Sequence, residues 1–116
     1  MTIERKRVGT RMSQIVIHGD TVYLAGQVAE DDPGAPAADQ MRNILARIDG
    51  LLAEAGSDKS KLLSATIWLA DIRDYDAINE VWDAWVPEGC APARACVEAK
   101  LAFTKYIVEV GIIAAR

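Results

Sequence analysis

Residues 61–85 read KLLSATIWLADIRDYDAINEVWDAW, and the spacing of their apolar side chains changes halfway along. The first ten residues alternate as in a half-buried strand, with one face carrying Leu63, Ala65, Ile67 and Leu69. From residue 71 onward the spacing is helical, with one face carrying Tyr75, Ile78, Trp82 and Trp85. Asp71 or Asp74 can act as the N-cap of this helix, and Pro87 with Gly89 ends it. This stretch therefore predicts a strand followed directly by an amphipathic helix.

The segment before this stretch predicts a hairpin and a longer helix. Residues 14–29, QIVIHGDTVYLAGQVA, place two apolar runs around Gly19-Asp20, which is typical of a β-hairpin. A loop follows over 30–36, and then an apolar stripe of helical period ends at Gly56, a favourable C-cap residue. The stripe consists of Met41, Ile44, Leu45, Ile48, Leu51, Leu52 and Ala55.

The segment after it predicts a closing hairpin formed by residues 94–101 and 106–114, which gives the element order ββαβαββ. Two helices can cover only one face of such a sheet. Small or apolar side chains occupy both sides of the last hairpin, among them Val97, Ala99, Val108, Val110 and Ile112. We therefore expect the uncovered face to be buried against copies of the same chain in a homo-oligomer.

Length and composition predict one soluble domain over residues 1–116. The chain has 116 residues, of which 51% are hydrophobic and 26% charged, and no apolar run is long enough to cross a bilayer. Its first residues lack the apolar region of a secretory signal, so we expect a cytoplasmic protein without a membrane partner.

Charge and ligand-type residues exclude several classes of function. The net charge of −4 disfavours binding to nucleic acid, and the basic cluster of Arg5, Lys6, Arg7 and Arg11 is interpreted as a solvated segment. One histidine and no Cys-x-x-Cys pair leave no metal-ligand spacing, so we expect no metal. Cys90 and Cys96 are expected to be free thiols.

Arg94 and Glu109 are charged residues in segments that otherwise resemble buried sheet. If the closing hairpin is centred near Phe103-Thr104, Glu98 opposes Glu109, Cys96 opposes Gly111 and Arg94 opposes Ile113. Arg94 and Glu109 would then share a face about 13 Å apart, at roughly 3.3 Å per residue. Because this disfavours a direct ion pair, either a neighbouring subunit brings the two together or a ligand lies between them.

The two side chains suit the hydrolysis of a small carboxylate. A guanidinium binds a carboxylate with two parallel hydrogen bonds, and an acid among apolar residues tends to have a raised pKa and can exchange protons near neutral pH. A structural ion pair at a subunit interface is the alternative interpretation. Cys96 has no histidine nearby in the sequence and is expected to be a small buried thiol rather than a nucleophile. Trp68, Trp82 and Trp85 are expected in the core rather than as platforms for bases.

The segment PARACVEAKLAFTKYIVEVGIIA, residues 92–114, resembles the C-terminal signature of the RidA family, also called the YjgF or L-PSP family. VYLAGQV and ATIWLADIRDYDAINEVWDAW resemble that family as well, so the resemblance covers nearly the whole chain. It implies a chorismate-mutase-like α+β fold, assembled as a trimer with a central barrel, outer helices and clefts between subunits. It also implies hydrolysis of enamines and imines, such as 2-aminoacrylate and other 2-imino acids, to 2-keto acids and ammonia without a cofactor.

The resemblance also assigns roles to residues. Arg94 would bind the substrate carboxylate, Glu109 would position or activate water, and Cys96 would line the cleft, with backbone groups at Ala25, Gly26 and Ala95 as further contacts. Two positions depart from the family pattern, because Met12 replaces a tyrosine and Ala25 a serine. The loss of both hydroxyls implies a different substrate or slower turnover. A non-enzymatic carboxylate-binding or chaperone-like trimer is therefore a second hypothesis, and an endoribonuclease or translation inhibitor a distant third.

Overall fold

In the computed structural model, which describes residues 1–116, six strands form one sheet and two helices pack on one of its faces. The elements are β1 Ile3–Val8, β2 Ser13–His18, β3 Thr21–Leu24, α1 Ala37–Glu54, β4 Leu62–Leu69, α2 Tyr75–Trp85, β5 Ala93–Glu98 and β6 Val108–Ala115. The spatial order of the strands is β1-β2-β3-β6-β4-β5. The predicted α+β class is confirmed.

The last two strands do not form the predicted hairpin. β5 pairs in parallel with β4, and β6 inserts between β3 and β4, antiparallel to both. Parallel neighbours need a long crossover, which α2 supplies between β4 and β5. Residues 99–107 connect β5 to β6 and are too many for a tight hairpin turn, so β6 crosses to the far side of β4.

The N-terminal segment forms an edge strand that was not predicted, although five of its six residues are exposed, as expected for a solvated segment. β1 pairs antiparallel with β2, so the element order is βββαβαββ. Lys6 Nζ donates to the Glu54 carbonyl at 3.2 Å, and Arg7 Nε lies 2.9 Å from Glu54 Oε2. Apolar alternation does not mark β1, because charged side chains occupy its solvent-exposed positions, as is common at sheet edges. The β2–β3 hairpin is confirmed, with Gly19 in the turn at φ +62°.

The core lies between the helices and the sheet. The predicted stripe of α1 is buried throughout, and Gly56 follows its C-cap with φ +79°, the left-handed conformation that favours glycine. A bulge between Leu62 and Ser64 shifts the register of β4, so Leu62 enters the core and Leu63 is exposed, contrary to the predicted face. Neither helix combines the length and apolar composition that a membrane span requires.

No helix covers the second face of the sheet, called here the open face. It carries Thr66 and Trp68 of β4, Glu109 and Ile113 of β6, Tyr23 of β3 and Val97 of β5. Val108, Val110 and Ile112, which were expected to contribute to it, are instead buried under the helices. Trp68 is also on the open face, not in the core. The open face is thus more polar than predicted, although Tyr23 and Val97 are exposed.

Candidate functional site

A cleft of about 380 Å³ surrounds Glu109 at the margin of the open face. It is bounded by residues at the start of β2 and just before it, from the segment after β3, from the β5–β6 connection and from β6: Met12, Gln14, Gly26, Gln27, Val28, Glu30, Leu101, Ala102, Phe103, Tyr106 and Glu109. Three expected site positions, Met12, Gly26 and Glu109, therefore line one cavity.

The segment after β3 is fixed against β6 by Gln27. Its backbone exchanges hydrogen bonds with Val110, at 2.8 and 3.0 Å. The Gln27 side chain is 2% exposed, and its Nε2 donates to Gln14 Oε1 at 2.8 Å and to the Ala25 carbonyl at 3.0 Å. This anchoring brings Gly26 against Glu109 so closely that a Cβ at position 26 would collide with the Glu109 carboxylate. Glycine is thus required for Glu109 to occupy this position.

The Glu109 carboxylate has no partner within the chain. It accepts no hydrogen bond from the protein and forms no ion pair. Burial raises the pKa of Glu109, because desolvation penalises its charged form and no cation compensates. The carboxyl group is therefore free to interact with a ligand or a water molecule, and it can exchange a proton closer to neutral pH than an exposed glutamate.

Arg94 is held by uncharged groups. It lies on β5, an edge strand, and its Nη1 donates to Asn79 Oδ1 at 2.8 Å. Its Nη2 donates to the Tyr75 hydroxyl at 3.3 Å, and its guanidinium stands 5.4 Å from the centroid of the Trp82 ring. No carboxylate forms an ion pair with it. The guanidinium is therefore oriented, but its charge is not neutralised.

Arg94 and Glu109 lie on opposite faces of the sheet. Arg94 pairs with Ala65, whose side chain is buried under the helices, whereas Glu109 pairs with Trp68 on the open face. The predicted register and shared face are wrong, because β4 separates the two strands and β5 runs parallel to it. Within one chain the expected site residues form two groups: Ala25, Gly26 and Glu109 with Met12, and Arg94, Ala95 and Cys96 on the edge strand.

Cys96 is half-buried on the helix side of β5 and packs against the core. Burial raises the pKa of the Cys96 thiol, and the nearby Arg94 opposes this only in part. At neutral pH it is a protonated thiol with low nucleophilicity. Both cysteines are free, and no group of three or more His, Cys, Asp or Glu side chains is arranged to hold a metal ion.

Sequence reasoning missed the residues that orient the two groups. Tyr75 was expected on the apolar helix face, and Asn79 was not considered, yet both bind Arg94. The available signal was their spacing in the sequence. Asn79 lies four residues after Tyr75 and three before Trp82, which places all three side chains on one face of the helix. No sequence signal indicated the role of Gln27 either, because a polar residue flanked by apolar ones is not expected to be buried.

The chain is similar to proteins of one family over nearly its whole length. The family model described as Endoribonuclease L-PSP matches residues 3–116. The RutC family protein YoaB of Escherichia coli K12 is 47% identical over 115 residues, which cover 99% of both chains. A more distant relative from Rattus norvegicus, named 2-iminobutanoate/2-iminopropanoate deaminase, is 32% identical over 92 residues, covering 74% of this chain and 66% of that protein.

Solved structures share the fold. An uncharacterized protein from Pseudomonas aeruginosa is 48% identical with a TM-score of 0.95, covering 99% of both chains. A member of the YjgF protein family from Neisseria meningitidis is 46% identical with a TM-score of 0.96, covering 100% of this chain and 96% of that chain. Because the family model and these relatives match the chain from end to end, the chain belongs to the RidA family, also called the YjgF or L-PSP family.

Proposed function

We propose that this protein is a deaminase that hydrolyses 2-imino acids and their enamine tautomers, 2-aminoacrylate among them, to 2-keto acids and ammonia without a cofactor. The observation that carries the proposal is the state of Arg94, a guanidinium oriented by Asn79 and Tyr75 and paired with no acid. Such a group is suited to bind the carboxylate that every 2-imino acid carries. The deaminase named from Rattus norvegicus is a relative that supports the same reaction class.

The proposed active unit is a homotrimer with clefts between subunits. Arg94 lies on an edge strand and Glu109 on the open face, so one chain does not bring the two side chains together. A second copy placed against the open face would cover the exposed side chains of Tyr23 and Val97 and would let the Arg94 of one subunit approach the Glu109 of the next. The cytoplasmic location expected from the sequence stays a prediction.

In the proposed reaction Arg94 holds the carboxylate and Glu109 handles protons. Glu109 accepts a proton from water as the water oxygen bonds to C2 and the electron pair of the C=N bond moves to nitrogen, and Glu109 then passes this proton to that nitrogen, which becomes an amino group. The Glu109 carboxylate next takes the proton of the new hydroxyl and gives it to the amino nitrogen, so that the C–N bond breaks, the C=O bond forms and ammonia leaves. The raised pKa of Glu109 suits this exchange, because a general base works best with a pKa near the working pH.

A carboxylate-binding trimer without turnover is the second candidate. Met12, which lines the Glu109 cleft, and Ala25 stand where the family has a tyrosine and a serine, and neither side chain carries a hydroxyl. If hydroxyl donors at these positions are needed to align water, the cleft would bind a keto acid and leave it unchanged.

A coupled assay tests the proposal. An amino-acid oxidase generates a 2-imino acid, and semicarbazide traps what remains. We expect the wild type to lower the trapped imine, and Arg94→Ala to reduce kcat/KM at least about 100-fold, since a charged partner of the substrate is lost. Arg73→Ala is the matched control, because Arg73 is an exposed arginine already paired with Asp71 at 2.7 Å. The proposal fails if the wild type leaves the trapped imine unchanged. Binding of pyruvate without turnover, abolished by Arg94→Ala, would instead support the second candidate.

A further inference from the structure

The Glu109 cleft has an apolar wall that the proposed chemistry does not use. Met12, Leu101 and Phe103 line it, and Phe103 and Met12 are 62% and 54% exposed. Large apolar side chains left open beside a cavity are typical of ligand-binding sites. The wall has ordered geometry, because the Phe103 ring packs edge-on against Tyr106 with centroids 6.2 Å apart and an interplanar angle of 85°.

The polar side chains of the cleft are mostly engaged within the protein. Gln27 donates to Gln14, and Glu30 lies 3.4 Å from Arg47. The Glu109 carboxyl is thus left for the reacting group, and the Gln14 amide nitrogen and the Tyr106 hydroxyl are the other polar side-chain groups of the cleft without a partner in the chain. A substrate side chain that packs on the wall of Met12, Leu101 and Phe103 meets carbon and an aromatic ring.

The size of the cleft favours a longer substituent. Its volume of about 380 Å³ falls within the range of roughly 300–1,000 Å³ that small-molecule sites occupy. A 2-imino acid with only a methyl group would leave most of the apolar wall in water. Each methylene group that a hydrophobic pocket buries can improve kcat/KM by about ten-fold or more.

We propose that the wall of Met12, Leu101 and Phe103 selects 2-imino acids with an extended apolar side chain, such as those formed by oxidation of leucine or phenylalanine, over those with a methyl group. This inference rests on the proposed function and specifies its substrate class. It differs from the substrates in the name of the Rattus norvegicus relative, which are small.

The test compares two imines in the same coupled assay, one generated from leucine and one from alanine. We expect kcat/KM of the wild type to be at least about ten-fold higher for the leucine-derived imine. Phe103→Ala and Met12→Ala should each lower that preference about five-fold or more, because contacts with the longer side chain are lost. Leu63→Ala is the control, since Leu63 is a comparably exposed apolar side chain outside the cleft, and it should leave the preference unchanged.

The possible outcomes separate the two proposals. Equal activity on both imines, a preference for the alanine-derived imine, or a preference that Phe103→Ala and Met12→Ala leave intact would overturn the substrate class while the deaminase function stands. No hydrolysis of either imine would overturn the deaminase function and this inference with it. Thermal unfolding of each variant tests whether misfolding causes the change. Both variants should unfold at nearly the wild-type temperature, because both substituted side chains are largely exposed.

Discussion

The guanidinium of Arg94 is oriented by an amide and a hydroxyl rather than by an acid, and this difference has consequences for binding. A carboxylate in the place of Asn79 would hold Arg94 just as firmly, but it would also neutralise the charge that the proposed substrate carboxylate would pair with. The neutral partner therefore combines orientation with an available positive charge. Trp82 adds an attraction to the ring face without removing hydrogen-bonding capacity from the guanidinium.

Exchanging Asn79 for Asp or Ala separates these two effects. Asn79→Asp places a carboxylate where Oδ1 now lies 2.8 Å from Arg94 Nη1, so we expect KM for the imine to rise about 10- to 100-fold. Asn79→Ala removes one hydrogen bond but adds no charge, so KM should rise less than about five-fold. Steady-state kinetics measures both, and thermal unfolding should show that Asn79→Asp is no less stable than Asn79→Ala. If Asn79→Ala raises KM as much as Asn79→Asp does, the role of Asn79 is not to leave the positive charge of Arg94 available.

At the scale of elements, local patterns predicted α1, β4, α2 and the β2–β3 hairpin because each carries its own periodicity or turn. The pairing of the last two strands could not be deduced in the same way. β5 and β6 are consecutive in sequence and both short and apolar, which is the usual sign of a hairpin. The deciding information was the crossover helix before β5 and the length of the connection after it, features that act between elements.

The candidate site was predictable only in part for the same reason. Arg94 and Glu109 stand out as charges in apolar segments, but their relative position depends on strand order, so a wrong pairing placed them on one face. Gly26 was identified by resemblance, and its physical role appears only when Gln27 is seen to fix the segment against β6.

Gly26→Ala tests that role. Gly26 does not have a positive φ, so alanine fits the backbone, but its Cβ would displace the Glu109 carboxylate. We expect kcat to fall about 100-fold, the loss typical of a misplaced reacting group, while the free energy of unfolding changes by less than about 1 kcal/mol. Gly50→Ala is the control, because nothing lies near a Cβ at that helical position. It should stabilise the protein by about 1 kcal/mol and leave kcat unchanged. An unaltered kcat in Gly26→Ala would mean that the observed position of Glu109 does not matter for turnover.

At the scale of the whole molecule, the sheet itself separates the two halves of the site. The helix side holds Arg94 at the β5 edge, and the open face holds Glu109 beside the cleft. In the proposed trimer, a second copy of the chain would supply the half of the site that one chain lacks. The proposed activity would then depend on assembly through the open face, which carries Tyr23, Trp68 and Val97.

Subunit mixing tests this dependence directly. Arg94→Ala and Glu109→Gln should each be inactive alone, but in the proposed trimer a mixed assembly contains one cleft with Arg94 from one variant and Glu109 from the other. With equal amounts and random exchange, three quarters of the trimers contain both variants, and each of these mixed trimers has one complete cleft out of three. Activity should therefore recover to about a quarter of the wild-type value. Mixing Arg94→Ala with the double variant should restore nothing, because no subunit then supplies Arg94. If the first mixture also stays inactive although native mass spectrometry shows mixed trimers, the two residues do not meet between chains. Chains that remain monomeric at assay concentration would refute the proposed assembly itself.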